Sequence, residues 1–117
     1  MTPALILIAS AASAGFPHEY LGRWGDGLAG CSPGAIHGGL IIERKTVVDG
    51  EFNGSVRSVR RKANGSIDTV ERWDIPDDAP TDIVSNYRLS KDKKLLTVRV
   101  AGKNAQTQKL IRCKAVR

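Results

Sequence analysis

Apolar and polar residues alternate along much of the second half of the chain, which is the pattern of half-buried β-strands. In residues 83–89 the side chains of Ile83, Tyr87 and Leu89 share one face, and residues 95–101 alternate in the same way. No segment shows sustained helical periodicity. The pattern therefore predicts a chain built from strands and turns.

Further strands are predicted on both sides of these two. Residues 20–24 predict a first strand or a turn leading into one, and residues 105–113 predict the last. Residues 39–43 are an apolar run, which indicates burial on both faces or a bend in a barrel strand. Residues 46–48 continue that strand or begin the next, and the dipeptide Asp49-Gly50 is typical of a hairpin.

An internal repeat begins at Asn53-Gly54-Ser55 and again, 11 residues later, at Asn64-Gly65-Ser66. Asn-Gly supplies the positive φ angles that a type I′ turn needs, so each copy is expected to open a strand of an antiparallel series. A two-residue turn at the second copy would place Arg61 opposite Asp68, which pairs opposite charges.

The same register pairs Val59 with Val70 and Val56 with Trp73. Because Val56 and Val59 differ in parity, we expect a β-bulge between them or apolar side chains on both faces. Seven or eight short strands linked by tight turns fit a small antiparallel up-and-down β-barrel. The chain of 117 residues has room for one domain, which we place at residues 15–117.

Residues 1–14 contain no charged side chain and combine a short apolar run with the triplet Ala12-Ser13-Ala14. This is the pattern of a secretory signal peptide with an A-x-A-like cleavage site, with Gly15 as the first mature residue. The alternatives are a buried first strand and a membrane span, but the run is shorter than the ~20 residues that a span needs. We therefore expect a periplasmic or secreted protein with no membrane span in the mature chain.

Export would place both cysteines of the chain, Cys31 and Cys113, in an oxidising compartment. Two cysteines allow one intramolecular pairing, so we predict a disulfide between them. Two free thiols or a pair of metal ligands are the alternatives, but neither a C-x-x-C motif nor a Cys/His cluster is present.

The chain carries 18 Lys and Arg against 12 Asp and Glu, a formal net charge of +6. A basic exported domain can contact anionic glycans, lipopolysaccharide, nucleic acid or an acidic protein surface, and positive charge also keeps a protein soluble. The basic run Arg57, Arg60, Arg61 and Lys62 divides between the two faces of a strand, and aromatic residues for base stacking are few. Nucleic acid is therefore not the expected partner.

Catalytic and metal-binding residues are not indicated. His18 and His37 are the only histidines, G-x-S-x-G is absent, and the glycine-rich stretch 25–39 matches neither phosphate-binding motif. Glu71 and Asp74 could in principle be the paired carboxylates of a hydrolase, but neighbouring charges on a strand usually face solvent. We therefore predict no catalytic residue, no cofactor site and no metal site.

The motif Gly22-x-Trp24 resembles the G-x-W signature of lipocalin-like barrels, the calycin group. In that family the tryptophan packs beneath an arginine from near the end of the barrel, and Arg112 stands at the matching place in this chain. The resemblance implies a barrel closed at one end by Trp24 and Arg112. It also makes a small carrier of a hydrophobic ligand one expected function.

A second resemblance is to small periplasmic barrels that inhibit bacterial metalloproteases and carry an early G-x-W followed by a cysteine. In that family the N-terminal segment enters the protease cleft, and the matching segment here is Gly15, Phe16, Pro17 and His18. The prediction is thus a monomeric, non-catalytic binding protein, first of the protein-binding or hydrolase-inhibitor type. A lipocalin-like carrier and a binder of anionic glycan or envelope polymer are the alternatives.

Overall fold

A computed structural model describes residues 15–32, 38–74, 79–102 and 105–113 of the chain. Within these ranges, eight antiparallel strands follow one another in chain order around a closed barrel. They are β1 Gly22–Gly25, β2 Gly39–Ile42, β3 Thr46–Asp49, β4 Phe52–Arg61, β5 Ile67–Asp74, β6 Thr81–Leu89, β7 Leu95–Val100 and β8 Gln106–Arg112. The predicted all-β barrel is confirmed, whereas the predicted signal peptide, residues 1–14, lies outside the described residues.

Two short 3-10 helices, His18–Tyr20 and Ala29–Cys31, lie on either side of β1 in the chain. The first strand, predicted over residues 20–24, therefore begins at Gly22, after the first of these helices. No helix in the described part of the chain is long and apolar enough to cross a membrane.

Alternation along each strand sends one set of side chains into the barrel, where they form the core. In β6, Ser85 and Tyr87 are buried, while the preceding residue Val84, on the opposite face of the strand, is 48% exposed. In β2, Ile41 is 40% exposed, so burial of that strand on both faces, one of two predicted alternatives, is wrong. The buried apolar side chains are Phe16, Tyr20, Trp24, Leu40, Ile42, Val47, Val56, Val59, Ile67, Tyr87, Leu96, Val98 and Leu110.

The hairpin between β4 and β5 has a three-residue loop, Ala63-Asn64-Gly65, and not the predicted two-residue turn. The Lys62 N–H donates a hydrogen bond to the Ser66 carbonyl over 2.8 Å, and Gly65 has the positive φ of 89° that ends such a loop. The side-chain oxygen of Asn64 accepts hydrogen bonds from the N–H and the hydroxyl of Ser66, which holds the loop in this form.

The extra loop residue shifts the register of the hairpin and changes its charge pairs. Asp68 pairs across the sheet with Arg60, so the predicted pairing of Asp68 with Arg61 is wrong. The Asp68 carboxylate instead lies 3.7 Å from the amine of Lys62, and the Arg61 guanidinium lies 3.6 Å from the Glu19 carboxylate. Both ion pairs are partly exposed, so each adds little to stability.

The β-bulge, one of two predicted alternatives, is confirmed, and it falls between Val56 and Ser58. Ser58 pairs with Val70, so the predicted pairing of Val59 with Val70 is wrong. The bulge shifts the register by one further residue from the predicted pairing, so that Val56 pairs with Glu71. The bulge lets both Val56 and Val59 point inward despite their different parity.

The first Asn-Gly pair of the repeat, Asn53-Gly54, lies inside β4 and does not form a turn. The turn precedes it, at Gly50, whose φ is +64°. Gly54 pairs with Trp73, which is the place that the predicted register gave to Val56. A Cβ on Gly54 would lie 2.5 Å from a ring atom of Trp73, so the indole packs directly against the glycine backbone.

Trp24 is fully buried at one end of the barrel, and the Arg112 guanidinium carbon lies 4.2 Å from the centroid of its ring. The guanidinium donates hydrogen bonds to the carbonyls of Glu19 and Leu21, at 2.7 and 3.1 Å, and the indole N–H donates one to the Tyr20 carbonyl at 3.0 Å. The two side chains that the resemblance pairs are therefore in contact, at the end of the barrel that we call the closed end.

The predicted disulfide between Cys31 and Cys113 is confirmed, with the two Cα atoms 5.4 Å apart. Cys31 ends the helix Ala29–Cys31 after β1, and Cys113 directly follows β8. The Cys113 N–H also donates a hydrogen bond to the Arg23 carbonyl over 2.9 Å. The bridge thus ties together the beginning and the end of the barrel where β1 meets β8.

Candidate functional site

A cavity of about 220 Å³ occupies the barrel interior at the end opposite the closed one. β7 runs from the closed end, where Lys94 accepts a hydrogen bond from the Arg112 N–H, to Val100, which lines the cavity. Asp49 and Phe52, on either side of the β3–β4 turn, also line it and are exposed. The cavity therefore opens to solvent at this rim, which we call the open end.

The lining of the cavity is mainly apolar and aromatic, with a few polar groups. Alternate residues of β5, β6 and β7 supply most of it, because these positions point into the barrel. This composition is typical of sites for small molecules. The lining residues are Leu40, Val47, Asp49, Phe52, Glu71, Trp73, Ile83, Ser85, Tyr87, Val98, Val100 and Gln108.

Glu71 borders the cavity with only 1% of its surface exposed. Its Oε2 accepts hydrogen bonds from the hydroxyls of Tyr87 at 2.5 Å and Thr69 at 2.7 Å. Its Oε1 accepts one from the Trp73 indole N–H at 2.9 Å. Among the described residues, no Lys, Arg or His side chain forms an ion pair with Glu71. The cavity thus contains a buried carboxylate held by three neutral donors.

Tyr87 is the donor of the shortest of these hydrogen bonds. Burial raises the pKa of its phenol well above the ordinary value of 10.0, and the negative charge of Glu71 raises the pKa further. The Phe16 ring packs edge-on against the Tyr87 ring, with the two ring centroids 5.0 Å apart, and this contact holds the Tyr87 ring in place. At neutral pH the phenol is protonated and positions the carboxylate.

We expect the free energy of unfolding to fall as the pH rises above about 10. The folded-state pKa of Tyr87 is raised, so its stabilisation is complete below 10.0 and is lost above it, because the unfolded chain releases this proton first. Above pH 10, the free energy of unfolding of the Tyr87→Phe variant should fall less steeply with pH than that of the wild type, by up to about 1.4 kcal/mol per pH unit. Urea unfolding of both proteins between pH 8 and 11 would measure the difference.

Tyr20 is the matched comparison for this measurement. Burial raises the pKa of Tyr20 as well, so Tyr20→Phe measures the second contribution separately. Equal slopes of stability against pH for the wild type and Tyr87→Phe would contradict the assignment to Tyr87.

The sequence does not indicate that Glu71, Trp73 and Tyr87 lie together. The expectation that Glu71 and Asp74 face solvent is correct for Asp74 and wrong for Glu71. One signal was present in the alternation of β5. Glu71 has the same parity as Ile67 and Trp73, so an inward-facing Ile67 implies an inward-facing carboxylate.

The segment predicted to contact a partner, Gly15, Phe16, Pro17 and His18, lies against the body of the barrel. Phe16 is 3% exposed and belongs to the core, and its N–H donates a hydrogen bond to the Arg44 carbonyl over 2.7 Å. His18 begins the first 3-10 helix and is exposed. The segment is therefore packed and does not extend as a free tail in this structure.

Within the part of the chain that the structure describes, the remaining candidates from the sequence do not come together in a site. His37 lies outside the described residues, and within them no group of three or more His, Cys, Asp or Glu could hold a metal ion. The four residues of the basic run are all exposed, on β4 and the loop after it: Arg57, Arg60, Arg61 and Lys62.

Comparison with known proteins does not assign the chain to a family. No family model matches it, and neither a curated protein nor a solved structure shows significant similarity to it.

Proposed function

We propose that the protein binds a small, mainly apolar ligand in the open end of its barrel. The observation that supports this is a solvent-open cavity with an apolar lining and one buried carboxylate. Its volume of about 220 Å³ exceeds the ~150 Å³ of an engineered cavity that holds benzene. A single aromatic ring, two fused rings or a short branched chain fits this space.

The closed end of the barrel supports the same proposal. Trp24 and Arg112 close that end, so a ligand can be enclosed on all sides but one. This is the arrangement that the lipocalin-like resemblance implies, and we therefore favour a small carrier of that type. The disulfide is typical of oxidising compartments and supports the predicted periplasmic or secreted location.

The inhibitor role that the sequence favoured first stays a prediction. It requires the N-terminal segment to enter a partner's cleft, but the Phe16 side chain packs against Tyr20 and Tyr87. Insertion of that segment would require the aromatic ring to leave the core, which costs about 3–5 kcal/mol for a buried phenylalanine. The contacts of the described residues therefore favour the carrier.

We expect 1-aminoanthracene, a neutral fluorescent probe, to bind the wild type with an increase in its fluorescence. The variant Val100→Trp should weaken this binding by about tenfold or more, because an indole at that position fills the cavity. Val84→Trp is the matched control, since it adds the same ring to the outer face of β6, where Val84 is 48% exposed. Thermal melting curves would establish that both variants are folded.

Two results would overturn the proposal. The first is the absence of probe binding to the folded wild type. The second is equal binding by the wild type and Val100→Trp, which would place the probe elsewhere on the protein.

A further inference from the structure

We propose that the cavity selects an organic cation, that is, an ammonium group attached to an apolar or aromatic body. This inference rests on the proposed function and names the chemical class of its ligand. Three features of the open end carry it: the sign of the charge in the lining, the unused hydrogen-bonding capacity of Glu71, and the aromatic residues of the lining.

The charge of the cavity is opposite to the charge of the chain. The chain has six more basic than acidic residues, a formal net charge of +6. The cavity lining nevertheless contains two carboxylates, Asp49 at the rim and Glu71 deeper inside, and no Lys, Arg or His among the described residues that form it. An anionic ligand would meet like charge in a desolvated space, whereas a cation would offset a buried negative charge.

Glu71 has the capacity to accept one more hydrogen bond. A carboxylate offers about four acceptor sites, and the described contacts use three of them. Two donors, Tyr87 and Thr69, share Oε2, but Oε1 accepts only the Trp73 indole N–H. The N–H of an ammonium group can occupy the remaining site on Oε1, and a hydrogen bond between charged partners is about twice as strong as a neutral one.

The aromatic side chains of the lining favour the same ligand. The rings of Phe52, Trp73 and Tyr87 all border the cavity, and the faces of such rings attract a cation within about 6 Å. Trp73 is held in place by its hydrogen bond to Glu71 and by the close contact with Gly54. The carboxylate and the rings together match a positive group on an apolar body better than a neutral or negative one.

A matched series of three ligands tests this proposal: 1-naphthylmethylammonium, 1-naphthylmethanol and 1-naphthylacetate, each titrated against the wild type at pH 7 in a calorimeter. We expect the ammonium compound to bind about 10- to 100-fold more tightly than the alcohol, and the carboxylate to bind most weakly. In Glu71→Gln the preference for ammonium over alcohol should fall about tenfold or more, while the affinity for the neutral alcohol stays within about threefold.

Glu43→Gln is the control for the loss of one negative charge, because Glu43 is exposed in the turn after β2 and does not line the cavity. It should keep the full preference. If Glu71→Gln does not fold, the wild-type ranking decides the test alone: equal or tighter binding of the carboxylate than of the ammonium compound would overturn the proposal. Binding of the alcohol without any preference for the cation would overturn this inference and leave the proposed ligand-binding function intact.

Discussion

Replacing Trp24 with alanine should lower the free energy of unfolding by about 3–5 kcal/mol, the range for removal of a buried aromatic side chain. The indole is 0% exposed, and its N–H donates a hydrogen bond to the Tyr20 carbonyl. Its removal leaves a void beneath the Arg112 guanidinium, which then loses the ring that it covers. Urea unfolding followed by the fluorescence of the remaining tryptophan, Trp73, would measure the loss.

Two further variants make this result specific to the closed end. Leu28→Ala removes a large apolar side chain that is 82% exposed, and it should change stability by less than about 0.5 kcal/mol. A double-mutant cycle of Trp24→Ala with Arg112→Met should give a coupling of about 0.5–2 kcal/mol between the two side chains. A loss below about 1 kcal/mol for Trp24→Ala would contradict the view that this residue closes the barrel.

The barrel itself could be predicted from the sequence because its signals are local. A strand with one buried face has a period of two, and the alternation over residues 83–89 and 95–101 shows it directly. The disulfide followed from a count of two cysteines in a chain expected to be exported. The Trp24–Arg112 contact followed from a resemblance, since no local pattern indicates which residues meet across the β1–β8 seam.

The register of β4 and β5 could not be predicted because it depends on one loop residue. Asn64-Gly65 serves equally well in a two-residue type I′ turn and in a three-residue loop that ends on glycine. The hydrogen bonds from Ser66 to the Asn64 side chain favour the longer loop, and they exist only once the hairpin has formed. A shift of one residue, followed by the bulge after Val56, changes every pairing that was counted from the turn.

The inward position of Glu71 was not predicted. Its buried carboxylate contradicts the usual exposure of charged strand residues, and only the three-dimensional contacts explain it. Glu71 is inward because Tyr87 and Thr69 donate to one oxygen and Trp73 donates to the other. These partners lie on two strands, β5 and β6, and the sequence separation between Glu71 and Tyr87 is 16 residues. A residue that departs from its ordinary environment in this way is a candidate for function.

Replacing both Cys31 and Cys113 with serine should lower the free energy of unfolding by about 4 kcal/mol. The bridge closes a loop with a sequence separation of 82, and the loss of such a constraint on the unfolded chain has about this magnitude. The total stability of a small domain is commonly about 5–15 kcal/mol, so the variant should unfold at a clearly lower urea concentration. Urea titration of the wild type with and without a thiol reductant, beside the double-serine variant, would measure the effect.

The structure also predicts where the reduced protein opens first. β1 and β8 pair at only two positions, Trp24 with Arg112 and Gly25 with Ile111, and no hairpin joins them. By contrast, β4 and β5 are joined by a tight loop and pair at eight positions. In hydrogen exchange, reduction should therefore speed the exchange of the Cys113 amide, which donates to the Arg23 carbonyl of β1, well before that of the β4 and β5 amides. Equal acceleration of the Cys113 amide and of the β4 and β5 amides would show instead that the β1–β8 seam is not the weakest point of the barrel.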